Sequence, residues 1–186
     1  MTLTIPTVLT LLRMALIPVL VLAFYAPLSW GHIAALSVFV LAGLTDWLDG
    51  WVARRFAMST RFGAFLDPVA DKLMVAVALI LIVQRDPTIV LALAAAIIIG
   101  REITISALRE WMAEIGQSTV VRVAWVGKFK TVMQMVAIGF LLYREPLWGL
   151  PILTIGTTLL VAAAVLTLYS MLSYLQAAWP AMREKS

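Results

Sequence analysis

The chain contains no cysteine, only one histidine and few charged residues. The absence of cysteine excludes disulfides, thiol catalysis and thiolate metal ligands. Charged residues make up only 13% of the chain and hydrophobic residues 63%, and the mean hydropathy is +1.01. Ordinary soluble domains are about half apolar, so this scarcity of charge indicates an integral membrane protein.

The apolar residues fall into six runs, at about 5–25, 33–48, 73–83, 87–100, 131–143 and 147–175. With their polar flanks, most of these runs approach the roughly 20 residues that cross a bilayer. The pattern predicts an all-α, polytopic membrane protein with six transmembrane helices in a single domain over residues 1–186. Pro6 near the start of the first run is typical of a short N-terminal interfacial helix ahead of the first span. No basic residue precedes Arg13 and no A-x-A-like site follows, so we expect no signal peptide.

The basic residues are distributed unevenly between the predicted connections. Of the 14 Lys and Arg residues, only Arg85 and Arg144 fall on one side of the predicted membrane. The positive-inside bias therefore predicts that both termini and the connection near residues 54–61 lie in the cytoplasm. A pI near 9.8 without an aromatic-basic binding face fits anionic lipid headgroups better than nucleic acid.

Four aspartates lie close together in the segment TDWLDGWVARRFAMSTRFGAFLDPVADK, residues 45–72: Asp46, Asp49, Asp67 and Asp71. Spacings of three and four residues place each pair on one face of its own helix. At a rise of 1.5 Å per residue, both pairs lie roughly 10 to 15 Å from the loop between the two helices. Two facing helices can therefore present four carboxylates to one point.

Ionised carboxylates at membrane depth are unfavourable unless positive charge compensates them. Two divalent cations would balance four aspartates, and oxygen ligands favour Mg²⁺ first and Mn²⁺ second, whereas zinc prefers His or Cys. The lone His32 falls in a predicted loop away from the acids. A different interpretation is a transporter or channel whose acids bind the permeating cation, but no pair of Gly- or Pro-interrupted helices suggests inverted repeats.

The pattern Asp46-x2-Asp49-Gly50-x2-Ala53-Arg54-x8-Gly63-x3-Asp67-x3-Asp71 resembles the signature of the CDP-alcohol phosphatidyltransferase family. The resemblance implies a six-helix membrane bundle, usually homodimeric, with its site open to the cytoplasmic leaflet. It implies that the four aspartates hold two Mg²⁺ ions on the diphosphate of a CDP-linked lipid.

The resemblance also implies roles for single residues. Asp71 would act as general base on an acceptor hydroxyl, in addition to binding metal. Gly50, Ala53, Arg54 and Thr60 would bind the CDP-lipid, although small residues in a membrane helix also serve close packing and a loop threonine often caps a helix.

Segments elsewhere, IPTVLTLLRMALIPVL, GREITISALREWMAEIG and GKFKTVMQM, resemble the bacterial phosphatidylglycerophosphate synthase branch of that family. This resemblance implies the substrates CDP-diacylglycerol and glycerol 3-phosphate and a place in the bacterial inner membrane. Related acceptors, inositol phosphate or phosphatidylglycerol, stay open alternatives.

A dianionic acceptor needs a cationic pocket apart from the metals, and four basic residues are the candidates: Arg101, Arg109, Lys128 and Lys130. The competing interpretation is snorkelling, in which long basic side chains reach the membrane interface. Lys128 and Lys130 are two residues apart and point to different sides of a helix, so at most one of them need face the site. Nearby glutamates, Glu102 among them, are expected to pair with these bases.

Overall fold

The computed structural model describes residues 5–56, 61–114 and 125–183, and these residues form six helices. The helices are α1 (Ile5–Tyr25), α2 (Gly31–Phe56), α3 (Arg61–Arg85), α4 (Ile89–Glu114), α5 (Trp125–Tyr143) and α6 (Ile152–Arg183). The prediction of an all-α fold is therefore confirmed for the described part of the chain.

Four helices are long and apolar enough to cross a membrane, over the stretches Pro6–Tyr25, Gly31–Val52, Ile89–Glu114 and Ile152–Gln176. A shorter apolar stretch, Phe129–Tyr143, lies in α5. By contrast, α3 carries charged residues along its length, with Asp67, Asp71 and Lys72 in its first half and Arg85 in its last turn. These features are those of a membrane protein, and a crossing by all six helices stays a prediction.

The first helix runs without interruption from Ile5 to Tyr25, through Pro18. Within residues 5–25, then, no short helix is set apart from the span, and an interfacial position for the first turns stays a prediction. Pro6 lies in the first turn, where a missing backbone N–H costs nothing because that donor has no intrahelical partner.

One helix end differs from the sequence-based prediction. The polar stretch that begins at Arg109 favours a connection after the apolar run at about 87–100, but α4 continues to Glu114. Residues of good helix propensity fill this stretch, and Leu108 and Met112, one turn apart, are buried against Tyr174 of α6. Arg109 is therefore a helical residue and does not belong to the loop.

The core contains many small side chains, including Ala35, Ala42, Ala78, Ala94, Ala137 and Ala164. Helix α1 packs against α2 and α3, and α6 packs against α4 and α5. Since lipid gives helices little hydrophobic reason to associate, small residues that allow close backbone approach are a main source of packing energy in membranes. The bundle thus places α1 beside both helices that carry the aspartates.

The connections α3–α4 and α5–α6 meet at the end of the bundle remote from the aspartates. Arg144 ends α5 in a left-handed conformation with φ of 67° and bonds Asp86 at 2.8 Å. The Arg85 guanidinium donates to the backbone oxygens of Leu141 and Leu142, at 3.2 and 3.1 Å. Both arginines predicted to share one side of the membrane therefore lie together.

Helices α5 and α6 pack closely at Gly156, so a larger side chain there should destabilise the protein. A Cβ added there would lie 3.0 Å from Leu141 Cγ and 3.1 Å from Phe140 Cβ, whereas one added at Gly100 of α4 meets no atom of the described residues within 4 Å. Both substitutions gain the same helix propensity, so their difference reports overpacking. We expect Gly156→Ala to be less stable than Gly100→Ala by about 1–3 kcal/mol. Denaturant unfolding in detergent measures this, and equal stabilities would contradict it.

Candidate active site

The buried arginine of α1, Arg13, lies among aspartates from two other helices. Its side chain is 1% exposed, and its guanidinium contacts Asp46 at 3.0 Å. The same guanidinium also bonds Asp49 of α2 and Asp71 of α3. Arginine suits this position because its fork of five donors can serve several carboxylates at once and it stays charged when buried.

The three carboxylates differ in their exposure. Asp49 is buried with Arg13, whereas about half of each side chain of Asp46 and Asp71 remains exposed, at 47% and 48%. Both of the exposed carboxylates line a cavity. Asp49 therefore anchors the ion-pair network, and Asp46 and Asp71 have oxygens open to a ligand.

The fourth aspartate, Asp67, does not contact Arg13. Its carboxylate accepts a hydrogen bond from the Thr10 hydroxyl, which also lies 3.0 Å from the Pro6 carbonyl oxygen. Thr10 and Arg13 are three residues apart on one face of α1. This face of α1 thus contacts both aspartate pairs. The sequence predicted a site formed by two helices, and the structure corrects this to a site formed by three, α1, α2 and α3.

The donor set of this cluster suits a hard divalent cation. As the side chains stand, no three carboxylate or imidazole groups of the described residues are arranged around a metal position, because three of the carboxylates turn toward Arg13. Their convergence on one cationic group identifies a place of strong negative potential. Carboxylate oxygens without sulfur or imidazole are the ligands Mg²⁺ and Mn²⁺ prefer, so the residues fit the predicted ions.

A cavity of about 450 Å³ opens beside the aspartates and extends to the basic residues of α4 and α5. Its polar and charged lining residues are Arg13, Asp46, Asp71, Lys72, Arg101, Glu102, Arg109, Lys130, Thr131, Gln134 and Tyr174. One wall is therefore acidic and the other basic. Three of the four predicted acceptor-binding residues, Arg101, Arg109 and Lys130, line the basic wall.

The basic wall is held by hydrogen bonds to α6. Lys130 is 2% exposed, and its Nζ lies 3.2 Å from the Thr167 hydroxyl and 3.8 Å from a Glu102 carboxylate oxygen. Arg101 bonds Glu102 at 2.9 Å and reaches Ser170 at 3.4 Å. These side chains point into the bundle, so snorkelling is excluded for Arg101 and Lys130, and the predicted pairing with Glu102 is confirmed.

The structure describes the other predicted site residues only in part. Gly50 follows Asp49 in α2 and is partly buried. Ala53 and Arg54 belong to α2 and Lys128 to α5, but their side chains lie outside the described part, as does all of Thr60. Their predicted contacts with a CDP-lipid or an acceptor stay predictions.

The sequence-based interpretation missed Arg13, Thr10 and Gln134. For Arg13 a signal was present, since an ionisable residue inside an apolar run of about 20 residues is a functional candidate by default. The prediction of a site from charges at membrane depth included only the aspartates. Thr10 and Gln134 lie in two of the segments that carry the family resemblance, but the sequence assigns them no role, because single uncharged polar residues are ordinary in membrane helices.

The ion-pair network predicts a specific dependence of stability on Arg13. Arg13→Met leaves Asp49 buried without its partner, which typically costs about 3–5 kcal/mol in unfolding free energy. The exposed Arg55 of α2 is the matched control, and Arg55→Met should cost less than about 1 kcal/mol. Unfolding in detergent with excess chelator measures both, and equal losses would contradict the role of Arg13. Added Mg²⁺ should restore part of the loss in Arg13→Met, because it supplies charge to the same carboxylates.

Comparison with known proteins identifies relatives of the whole chain. The family model of the CDP-alcohol phosphatidyltransferases matches residues 3–178. Proteins of Escherichia coli (strain K12) and Shigella flexneri serotype 5b, both named CDP-diacylglycerol–glycerol-3-phosphate 3-phosphatidyltransferase, are 54% identical to the chain over 174 residues. The match covers 94% of this chain and 94% of each relative. The chain therefore belongs to the CDP-alcohol phosphatidyltransferase family.

Proposed function

We propose that the chain transfers the phosphatidyl group of CDP-diacylglycerol to glycerol 3-phosphate, giving phosphatidylglycerophosphate and CMP in phospholipid biosynthesis. The activity is the one named for relatives that are 54% identical over 94% of the chain. The structural observation that supports it is a single cavity with an acidic wall and a separate basic wall. Two anionic substrates that must meet in one place require separate cationic partners.

In the proposed reaction the primary hydroxyl of glycerol 3-phosphate attacks the phosphorus that bears the diacylglycerol. A new phosphorus–oxygen bond forms, the bond to the bridging oxygen breaks, and CMP leaves with that oxygen. Asp71 takes the hydroxyl proton, which its half-exposed carboxylate at the cavity surface allows. Arg101, Arg109 and Lys130 bind the acceptor phosphate and hold it apart from the carboxylates.

Asp46, Asp49, Asp67 and Asp71 are the residues that would hold two Mg²⁺ ions, or Mn²⁺ in their place. Bound there, the ions would neutralise the diphosphate and stabilise the charge on the leaving CMP. In the described part of the chain, Asp46 and Asp71 already line the cavity, and Asp49 and Asp67 belong to the same two helices, about one turn away from them.

The cellular setting follows from the same arguments. We propose a multi-pass protein of the bacterial inner membrane, with both termini and the cavity on the cytoplasmic side and a homodimeric assembly. Four apolar helices and the grouping of Arg85 and Arg144 at the far end support this orientation. The cation-transporter interpretation is set aside, since the basic wall of the cavity would repel a permeating cation.

The acceptor is tested by CMP release from CDP-diacylglycerol with purified protein and Mg²⁺. Glycerol 3-phosphate should support turnover at least about 100-fold faster than phosphatidylglycerol, which has no terminal phosphate for the basic wall, a loss of about 3 kcal/mol of charge-assisted bonding. Inositol phosphate should also fail, because its ring is bulkier than a three-carbon chain. Faster release with either alternative acceptor would reassign the substrate.

The role of Asp67 is tested by a matched pair of substitutions. Asp67→Asn keeps a hydrogen-bond acceptor for Thr10 but removes the charge, whereas Thr10→Val removes the hydrogen bond and keeps the carboxylate. If Asp67 is a metal ligand, Asp67→Asn should lower turnover at least about 100-fold, as removal of a charged ligand does. Thr10→Val should lower it less than about tenfold, the worth of a neutral hydrogen bond. Direct Mn²⁺ binding, followed by electron paramagnetic resonance, should weaken in the same order, and similar effects of both changes would remove Asp67 from the metal site.

A further inference from the structure

We propose that the side-chain amide of Gln134 binds the secondary hydroxyl of the acceptor and so makes the site selective for a polyol phosphate. The inference rests on the proposed function and adds to it a specificity-determining residue. It depends on three observations: Gln134 lines the cavity without a hydrogen-bond partner among the described residues, it lies one helical turn from Lys130 on α5, and the other uncharged lining residues are apolar, glycine or already engaged.

Gln134 is a buried polar residue for which the described part of the chain offers no hydrogen-bond partner. The residue is 5% exposed, lines the cavity and has no hydrogen-bond partner among the described residues. Neither amide atom is enclosed by protein, so the small remaining exposure is toward the cavity. An amide that is open to a cavity and forms no hydrogen bond to the described residues can bond a ligand there without breaking a bond within the protein.

The other uncharged polar side chains of the lining are already engaged. Thr131 and Tyr174 each interact with another group, and Tyr174 lies under the Arg101 guanidinium at 5.9 Å. The remaining lining residues of the cavity are apolar or glycine: Ala42, Gly43, Met74, Val75 and Met135. In the described lining, Gln134 is thus the neutral polar group left to recognise a hydroxyl.

The position of Gln134 matches the middle of the acceptor. Lys130 and Gln134 are four residues apart on one face of α5, about one turn along the helix. With the phosphate of glycerol 3-phosphate on the basic wall at Lys130 and its primary hydroxyl at Asp71, only the secondary hydroxyl remains to be bound. An amide both donates and accepts, as a hydroxyl does, and being neutral it competes neither for the phosphate nor for a cation.

The test compares two acceptors that differ only in the secondary hydroxyl, glycerol 3-phosphate and 3-hydroxypropyl phosphate. Purified full-length protein in micelles with CDP-diacylglycerol and Mg²⁺ is assayed for CMP release with each. We expect the wild type to favour glycerol 3-phosphate at least about tenfold in kcat/KM, since sites that bond a hydroxyl reject analogues that lack it. Gln134→Met should reduce the preference to less than about twofold, chiefly by raising KM for glycerol 3-phosphate.

Lys130→Met is the contrasting variant, because both acceptors carry the phosphate. It should lower kcat/KM for both by a similar factor and leave the preference intact. An unchanged preference in Gln134→Met, or an equal loss with both acceptors, would overturn the proposal and assign Gln134 to packing. If Gln134→Met does not fold, Gln134→Ala decides by the same ratio.

The same assay separates failure of this inference from failure of the proposed function. A wild type that releases CMP with glycerol 3-phosphate but shows no preference over the analogue overturns only the role of Gln134. A wild type that releases none with either acceptor overturns both.

Discussion

The ion-pair network around Arg13 is the interaction on which the rest of the structure depends. A single guanidinium joins Asp46 and Asp49 of α2 to Asp71 of α3, and the neighbouring Thr10 joins Asp67. Helices in lipid gain little from hydrophobic association, so polar contacts of this kind decide which helices become neighbours. Because Asp49 is buried, it would be strongly unfavourable without its cation. The network therefore fixes α1 between the two helices that carry the acids.

A second buried cation organises the opposite wall. Arg13 and Lys130 are the largest fully buried side chains in the described part of the bundle, although charged residues are normally the last to be buried. Lys130 and Arg101 contact the Glu102 carboxylate and hydroxyls of α6. Each wall thus has its own compensation, and neither wall neutralises the other. This separation keeps the cavity between them polarised.

The sequence predicted the helices better than it predicted their rotations. Apolar runs located all six helices, and the spacings of the aspartates located two faces of the site, because both signals are periodic. The two-residue spacing of Lys128 and Lys130 also indicated that only one of them need face the site. Which one does so depends on how α5 is rotated about its axis against α6. Arg13 was missed because one charge barely lowers the hydropathy of a long run. Gln134 could not be identified from the sequence, because its proposed role is inferred from its burial at the cavity and from the lack of a hydrogen-bond partner among the described residues.

The polarity of the cavity accounts for the orientation of the acceptor in the proposed reaction. Arg13 and Lys72 together do not balance the four aspartates, so this side of the cavity keeps a net negative charge and attracts divalent cations while it repels a phosphate. The basic wall, with Arg101, Arg109 and Lys130 against one glutamate, keeps a net positive charge. Glycerol 3-phosphate carries its charge at one end only. In the proposed reaction the field alone would therefore turn the phosphate toward Lys130 and the primary hydroxyl toward Asp71, before any contact with the glycerol carbons is made.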